Sequence, residues 1–270
     1  MVVNNLFFIY NIWKKSEISQ NGDFYMLELQ NVSYQVNDDS DDKEILKNIN
    51  LKINEHLVVI TGPNGGGKST LAKVIAGIIK PVSGKIILDG EDITGLSITD
   101  RAKKGISFAF QQPVRFKGLT VIDMVRLAAG KDITIAQACE YLSEVGLCAK
   151  DYINRELNAS LSGGEIKRIE IAMVLARGAK FSIFDEPEAG IDLWSFQNLI
   201  QVFEKMYKTI NGQVLVISHQ ERILNIADKI IVLADGNVID EGSREEVMPK
   251  LMKNDIACPT LLDKMKQEEN

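Results

Sequence analysis

Eight residues, Gly62-Pro63-Asn64-Gly65-Gly66-Gly67-Lys68-Ser69, join the apolar run Leu57-Val58-Val59-Ile60-Thr61 to a stretch of helical spacing from Lys68 to about Ile79. They fulfil the pattern G-x-x-x-x-G-K-[ST], with a strand before and a helix after, which is the order phosphate binding requires. The glycines let successive backbone N–H groups turn toward phosphate oxygens, and the helix start adds partial positive charge. Lys68 can then reach the β- and γ-phosphates of a nucleotide, and the Ser69 hydroxyl, with Thr70 next to it, can ligate Mg2+. A structural glycine turn is the plain alternative. Eight matching positions with both flanks in order argue against it.

Around this loop the chain alternates between two periodicities. Leu27, Leu29, Val32 and Tyr34, then Ile45, Ile49, Leu51 and Ile53, flank an acidic stretch from Asp38 to Glu44 and read as antiparallel strands joined by an exposed turn. Lys85 to Asp89 and Ile106 to Phe110 are strand-like. From Thr120 to Asn158 the spacing becomes helical, through Val121, Met124, Val125 and Leu127, then Ala138, Tyr141, Leu142 and Val145. Apolar strands return at Phe181–Phe184, Val214–Ile217 and Ile230–Leu233, with helical segments between them, so the expected core is a mostly parallel sheet. The expected fold is therefore α/β: a P-loop NTPase core, an N-terminal antiparallel β subdomain and an inserted helical lobe.

Asp185-Glu186 ends the apolar strand Phe181–Phe184, which puts both carboxylates at the carboxyl edge of the sheet beside the phosphate loop. Asp185 is suited to hold Mg2+ and Glu186 to orient and deprotonate an attacking water. The alternative for such a pair is an acid capping the next helix. Between the two motifs lies Leu161-Ser162-Gly163-Gly164-Glu165. An isolated Ser-Gly-Gly is an ordinary loop. In this order, with the phosphate loop upstream and Asp185-Glu186 downstream, it resembles the signature loop of ATP-binding-cassette (ABC) ATPases over roughly Met26 to Val247.

The resemblance implies further roles. Tyr34 is similar to the aromatic that stacks on adenine, the plain alternative being a packed strand residue. Gln111, with Gln112 beside it as the alternative, is similar to the glutamine that touches magnesium and couples to the helical lobe. Asp192 resembles the loop that crosses a dimer interface, and His219 the switch histidine near the γ-phosphate. His56 matches nothing. Ser162, Gly163, Gly164 and Glu165 are implied to cap ATP held by an opposite subunit, so that two Mg-ATP are buried in a head-to-tail dimer, either a homodimer or a pair with a related cassette. With Lys68, Glu186 and His219 all present, the resemblance implies hydrolysis.

Several details resemble a subgroup. The acids Glu165 and Glu170, with Leu96–Ala102, Phe108–Val114 and His219–Leu224, are similar to the soluble ATPase of Suf-type iron–sulfur cluster assembly, which implies a soluble scaffold partner. Pro187 and a compact helical lobe depart from that subgroup and keep a membrane-spanning transporter subunit as the alternative partner.

Composition limits the rest. With 270 residues, 45% hydrophobic and 25% charged, one well-buried domain with a smaller lobe fits. A net charge of −6 leaves no bulk attraction to nucleic acid or an anionic membrane, and nucleic acid is not an expected partner. Cys139, Cys148 and Cys258 are scattered, which favours reduced thiols over disulfides or zinc. No apolar run approaches the ~20 residues of a membrane span, so the expected location is cytoplasmic, peripheral to a membrane only through a partner. The expected organisation is a non-core extension over 1–25, a cassette over 26–250 with its helical lobe at about 112–165, and a tail over 251–270. Met26 opens the first clean strand, and a misplaced start codon would explain the residues before it.

Overall fold

The computed structural model describes residues 26–37, 42–111, 118–158, 160–209 and 212–253. The expected extension, Gln112, Cys258 and nearly all of the expected tail lie outside them.

Ten strands and nine helices occur among the described residues. The strands are β1 (Leu27–Asn37), β2 (Asp42–Ile53), β3 (Leu57–Thr61), β4 (Ser83–Leu88), β5 (Glu91–Asp92), β6 (Ile106–Ala109), β7 (Phe181–Asp185), β8 (Gln213–Ile217), β9 (Lys229–Ala234) and β10 (Asn237–Ser243). The helices are α1 (Lys68–Ala76), α2 (Ile98–Lys103), α3 (Val121–Ala129), α4 (Ile135–Glu144), α5 (Ala149–Tyr152), α6 (Gly163–Arg177), α7 (Leu193–Thr209), α8 (Glu221–Leu224) and α9 (Arg244–Met252). α1 stops three residues short of the predicted Ile79, because Gly77 takes the left-handed conformation and its N–H returns to the carbonyls of Lys73 and Val74.

The strands form two sheets. One is four-stranded and antiparallel in the order β2-β1-β4-β5, and the other six-stranded in the order β10-β9-β3-β8-β7-β6. In the second, β9, β3, β8, β7 and β6 pair in parallel and only β10 is antiparallel. All five residues of β3 are buried. Alternate residues serve opposite faces: Leu57 and Val59 join one apolar cluster, Val58 and Ile60 the other. A strand buried on both faces must be continuously apolar, which is why this stretch shows no alternation. Each such side chain contributes about 1.5–3 kcal/mol on burial, outweighing a strand propensity that spans only ~1 kcal/mol, so packing sets the strand carrying the glycine loop.

The first cluster packs the sheet against α6 and α7 through Ile166, Ile169, Leu199 and Phe203, and continues into α3 and α4 through Val121, Val125, Ala138 and Leu142. The second holds α1 by Leu71, Val74 and Ile75 together with Leu29, Leu46 and Ile86 of the antiparallel sheet. Helices α3, α4 and α5 lie in sequence between β6 and β7, and the first two start at capping boxes, Thr120 with Asp123 and Thr134 with Gln137.

Candidate functional site

Four parallel strands deliver the predicted residues to one edge. Along the order β3-β8-β7-β6, the carboxyl ends lead respectively into the glycine loop, His219, Asp185-Glu186 and Gln111. Crevices beyond the carboxyl ends of parallel strands are where α/β sheets bind ligands.

The loop begins with Gly62 at φ 136°, where a Cβ would stand 2.0 Å from the Leu233 carbonyl oxygen of β9. Gly67, at φ 100°, precedes α1 without any side-chain cap. The leading N–H groups of this helix therefore have no side-chain acceptor at Gly67, an arrangement that suits phosphate oxygens. Asn64 and Gly65 are exposed, while Pro63, Ser69 and Thr70 are half-buried. Gly66 is buried, its carbonyl accepting from Gly236 N–H at 3.1 Å. Lys68 is 5% exposed, and its ammonium donates to the carbonyls of Gly62 and Pro63, both at 2.9 Å, so it lies over its own loop.

Ser69 Oγ donates to Asp185 Oδ1 at 2.8 Å. Asp185 is buried, and burial pushes its carboxyl above the ordinary range; the Ser69 hydrogen bond opposes this, the Glu186 charge adds to it, and Lys73 and Lys167 oppose it. A hydroxyl and a carboxylate at this spacing are hard oxygen donors of the kind Mg2+ takes, and that cation would supply the neutralising charge and hold a phosphate oxygen.

Glu186 is half-buried and stands at φ 43°. The other described non-glycine residues at positive φ are Asn31, Asn48, Asp89 and Asp235, types that tolerate this region. Glu186 does not, and the conformation costs on the order of 1–3 kcal/mol. It is held by Glu186 N–H donating to Ile217 O and Ala189 N–H donating to Glu186 O, each at 3.0 Å. Gln111 Nε2 donates to Glu186 Oε2 at 2.5 Å, and the alternative, Gln112, lies outside the described residues. His219 follows β8, where Ser218 Oγ donates to Glu188 Oε1 at 2.5 Å.

Ser162 caps the fifteen-residue α6 and forms a capping box with Glu165. Ser162 N–H donates to Glu165 Oε2 at 2.6 Å, and the Tyr152 hydroxyl donates to Glu165 Oε1. Ser162 and Gly163 are exposed, whereas Gly164 is buried, with its Cβ position 2.3 Å from Ser195 Oγ. Asp192 caps α7, accepting from Ser195 N–H at 3.0 Å and Ser195 Oγ at 2.7 Å. The acid that opens the helix after β7 is thus Asp192, and the capping alternative for Asp185-Glu186 falls away. Tyr34 is half-buried in β1 opposite Leu46, whose Cδ2 lies 3.0 Å from the Cβ position of Gly67. His56 sits before β3 at the other edge of the sheet, edge-on to Tyr207 with centroids 5.0 Å apart.

Sequence reasoning passed over Lys167, Glu188 and Arg101. Lys167 is 2% exposed and donates to the Phe110 carbonyl. The i, i+3 spacing of Lys167 and Glu170 was the available signal for that pair.

A cradle for a triphosphate next to an oxygen-donor pair for a divalent cation, all on one parallel-sheet edge, places the molecule among the P-loop nucleotide hydrolases. Within that class the chain belongs to the ABC transporter family, whose profile matches residues 46–189. It is 40% identical over 214 residues to the uncharacterized ABC transporter ATP-binding protein MJ0035 of Methanocaldococcus jannaschii, covering 76% of this chain and 85% of that one. It is 34% identical over 214 residues to the lipopolysaccharide export system ATP-binding protein LptB of Haemophilus influenzae, covering 76% and 87%. The fold matches the dimeric ATP-binding cassette MJ0796 bound to ADP and Pi, with a TM-score of 0.74 and 28% identity over 81% of this chain and 98% of that one. The chain is accordingly an ATP-binding cassette and an ATPase that uses ATP with Mg2+.

Proposed function

We propose that this cassette is the ATP-hydrolysing subunit of a membrane transporter, working as a head-to-tail pair and driving a membrane-spanning partner. The observation that carries the hydrolytic part is the hydrogen bond from Gln111 to Glu186 beside Asp185 and Ser69. In this reading Glu186 takes the proton of the attacking water, Lys68 and the backbone N–H groups of the loop over 62–70, Pro63 excepted, hold the phosphates, and Ser69, Asp185 and Gln111 face Mg2+. His219 senses the γ-phosphate and Tyr34 stacks on adenine. Ser162, Gly163 and Gly164 approach the nucleotide of the opposite subunit, Glu165 holds Ser162 in place, and Asp192 lies at the pair's interface.

The names of the relatives support a transporter partner. So does an apolar cleft of about 330 Å3 next to Gln111, lined among others by Ile98, Phe108, Phe110, Met124 and Met173. We assign that cleft to the membrane-spanning subunit. No helix among the described residues is long and apolar enough to cross a membrane, and the reading leaves membrane attachment to the partner. The Suf-type reading rested on Glu165 and Glu170 together with the segments Leu96–Ala102, Phe108–Val114 and His219–Leu224. Both acids have intramolecular partners here, in Ser162 and Tyr152 for the first and Phe110 and Lys167 for the second, so neither is needed to explain a scaffold.

The test is Glu186→Gln, captured from its native host with ATP and Mg2+. Phosphate release should fall by about 10²–10⁴ while ATP binding persists and the protein elutes as a dimer. A polytopic membrane protein retained in detergent is the expected companion. A soluble scaffold recovered without detergent would replace transport by cluster assembly, and unchanged phosphate release would remove Glu186 from its role.

A further inference from the structure

Phe110 and Gln111 come after the last ladder residue of β6, which among the described residues pairs with β7 alone and ends at Ala109 opposite Phe184. The sheet therefore does not hold the backbone that presents Gln111. Two side chains from α6 do so instead. Phe110 N–H donates to Glu170 Oε1 at 3.1 Å, and Lys167 Nζ donates both to the Phe110 carbonyl and, at 3.2 Å, to Glu170 Oε2. Both backbone groups of one residue are thus satisfied by an i, i+3 pair on a single helix face.

The grip is well shielded from water, with the Lys167 side chain 3% and the Glu170 side chain 16% exposed. Lys167 and Glu170 lie 57 and 60 residues from Phe110 in the chain. The next residue, Gln111, is the one that reaches Glu186 at 2.5 Å. The charge of Lys167 also acts on the buried Asp185 carboxyl.

From this geometry we infer that Lys167 and Glu170 are positioning residues for hydrolysis: by gripping Phe110 they fix the Gln111 side chain against Glu186. The inference rests on Glu186 having the role proposed above. A hydrogen bond to the reacting carboxylate tolerates little displacement, since a misplacement of about 1 Å can cost on the order of 10²-fold in rate. The grip belongs to the helix that Ser162 caps, so a displacement of that helix is carried to Gln111 through Phe110. The contrasting possibility is that the pair only ties α6 to the edge of the sheet. In that case its loss would act on the whole fold and not through Gln111.

The experiment compares phosphate release by wild type, Glu170→Ala, Glu170→Gln and Lys167→Met, each also made in a Gln111→Ala background. Glu170→Ala and Lys167→Met should lower kcat by about tenfold or more, leaving KM for ATP within about twofold. In the Gln111→Ala background the same changes should cost less than about twofold, because the grip has lost the side chain it positions. Glu170→Gln, which keeps an acceptor for Phe110 N–H, should recover part of the rate and serves if the alanine variant does not fold. Equal losses in both backgrounds, or no loss, would overturn the inference. Amide exchange at Phe110 and Gln111 without turnover separates it from the assignment of Glu186. If wild-type protein does not hydrolyse ATP, that assignment fails, while faster exchange in Glu170→Ala still supports the grip. Unchanged exchange sinks the grip whatever the rates.

Discussion

Asp185 and Glu186 end one strand in unequal surroundings. Asp185 is 3% exposed beside Ser69, and Glu186 is half-buried with Gln111 on its carboxylate. Neighbouring carboxylates in different environments take different tasks, one suited to a cation and the other to a proton. Glu165 offers a cleaner titration. Burial alone would raise its carboxyl, but hydrogen bonds from Tyr152 and Ser162 and the charge of Arg155 together hold it below the ordinary value of 4.5. A carboxyl lowered on folding adds stability above its unfolded pKa and loses it as pH falls through the folded value. Glu165→Gln keeps the capping acceptor and removes the charge. We expect its urea midpoint to lie below wild type at pH 6 and the gap to shrink as pH falls below about 4.5; a gap constant with pH would refute this. Glu165 was legible in the sequence as part of the Ser-Gly-Gly-Glu loop, but its Tyr152 partner was not, because that contact joins two helices.

The helix that follows the glycine loop has no side-chain cap at Gly67 and is secured from its other end. At its C-terminal end the buried Arg101, 1% exposed, donates through Nη1 to the Val74 and Ile75 carbonyls, each at 2.7 Å, and through Nη2 to Thr94 O at 2.8 Å. Three carbonyls, two of them in the last turn of the helix, accept from one guanidinium, and of these Val74 O also accepts from Gly77 N–H. Arg101→Met should therefore destabilise the fold by about 2–4 kcal/mol, seen as a lower urea midpoint at unchanged slope. A loss under ~0.5 kcal/mol would mean that water replaces the guanidinium. Elements of this kind were predicted closely where their signal is local. Leu57–Ile60 of β3 and Val214–Ile217 of β8 are uninterrupted apolar runs, Phe181–Phe184 of β7 is broken by Ser182 alone, and Val121 to Leu142 keeps the helical period. β10, half of whose alternation is polar, had no comparable signal, and its place is set by pairing with β9.

At the scale of the molecule, the strand order puts the residues after β3, β8, β7 and β6 side by side although 157 residues separate Gly62 from His219. The same packing leaves a cleft between α2, α3, α6 and the end of β6, with Ile98 48% exposed at its rim. Ile98→Asp places a charge on the assigned docking surface away from the nucleotide site. Capture of the membrane-spanning partner should fall at least about tenfold, with phosphate release by the isolated cassette within about twofold of wild type. Undiminished capture would move the partner elsewhere.

The sequence by itself determined the phosphate loop, the carboxylate pair, the buried strands and the helix caps, because each is specified by neighbours within a few residues. Only the tertiary structure decided that Gln111 meets Glu186 and that Glu170 and Lys167 hold Phe110. Those contacts join segments distant in the chain, and their geometry follows from how the strands pack, which no local pattern encodes.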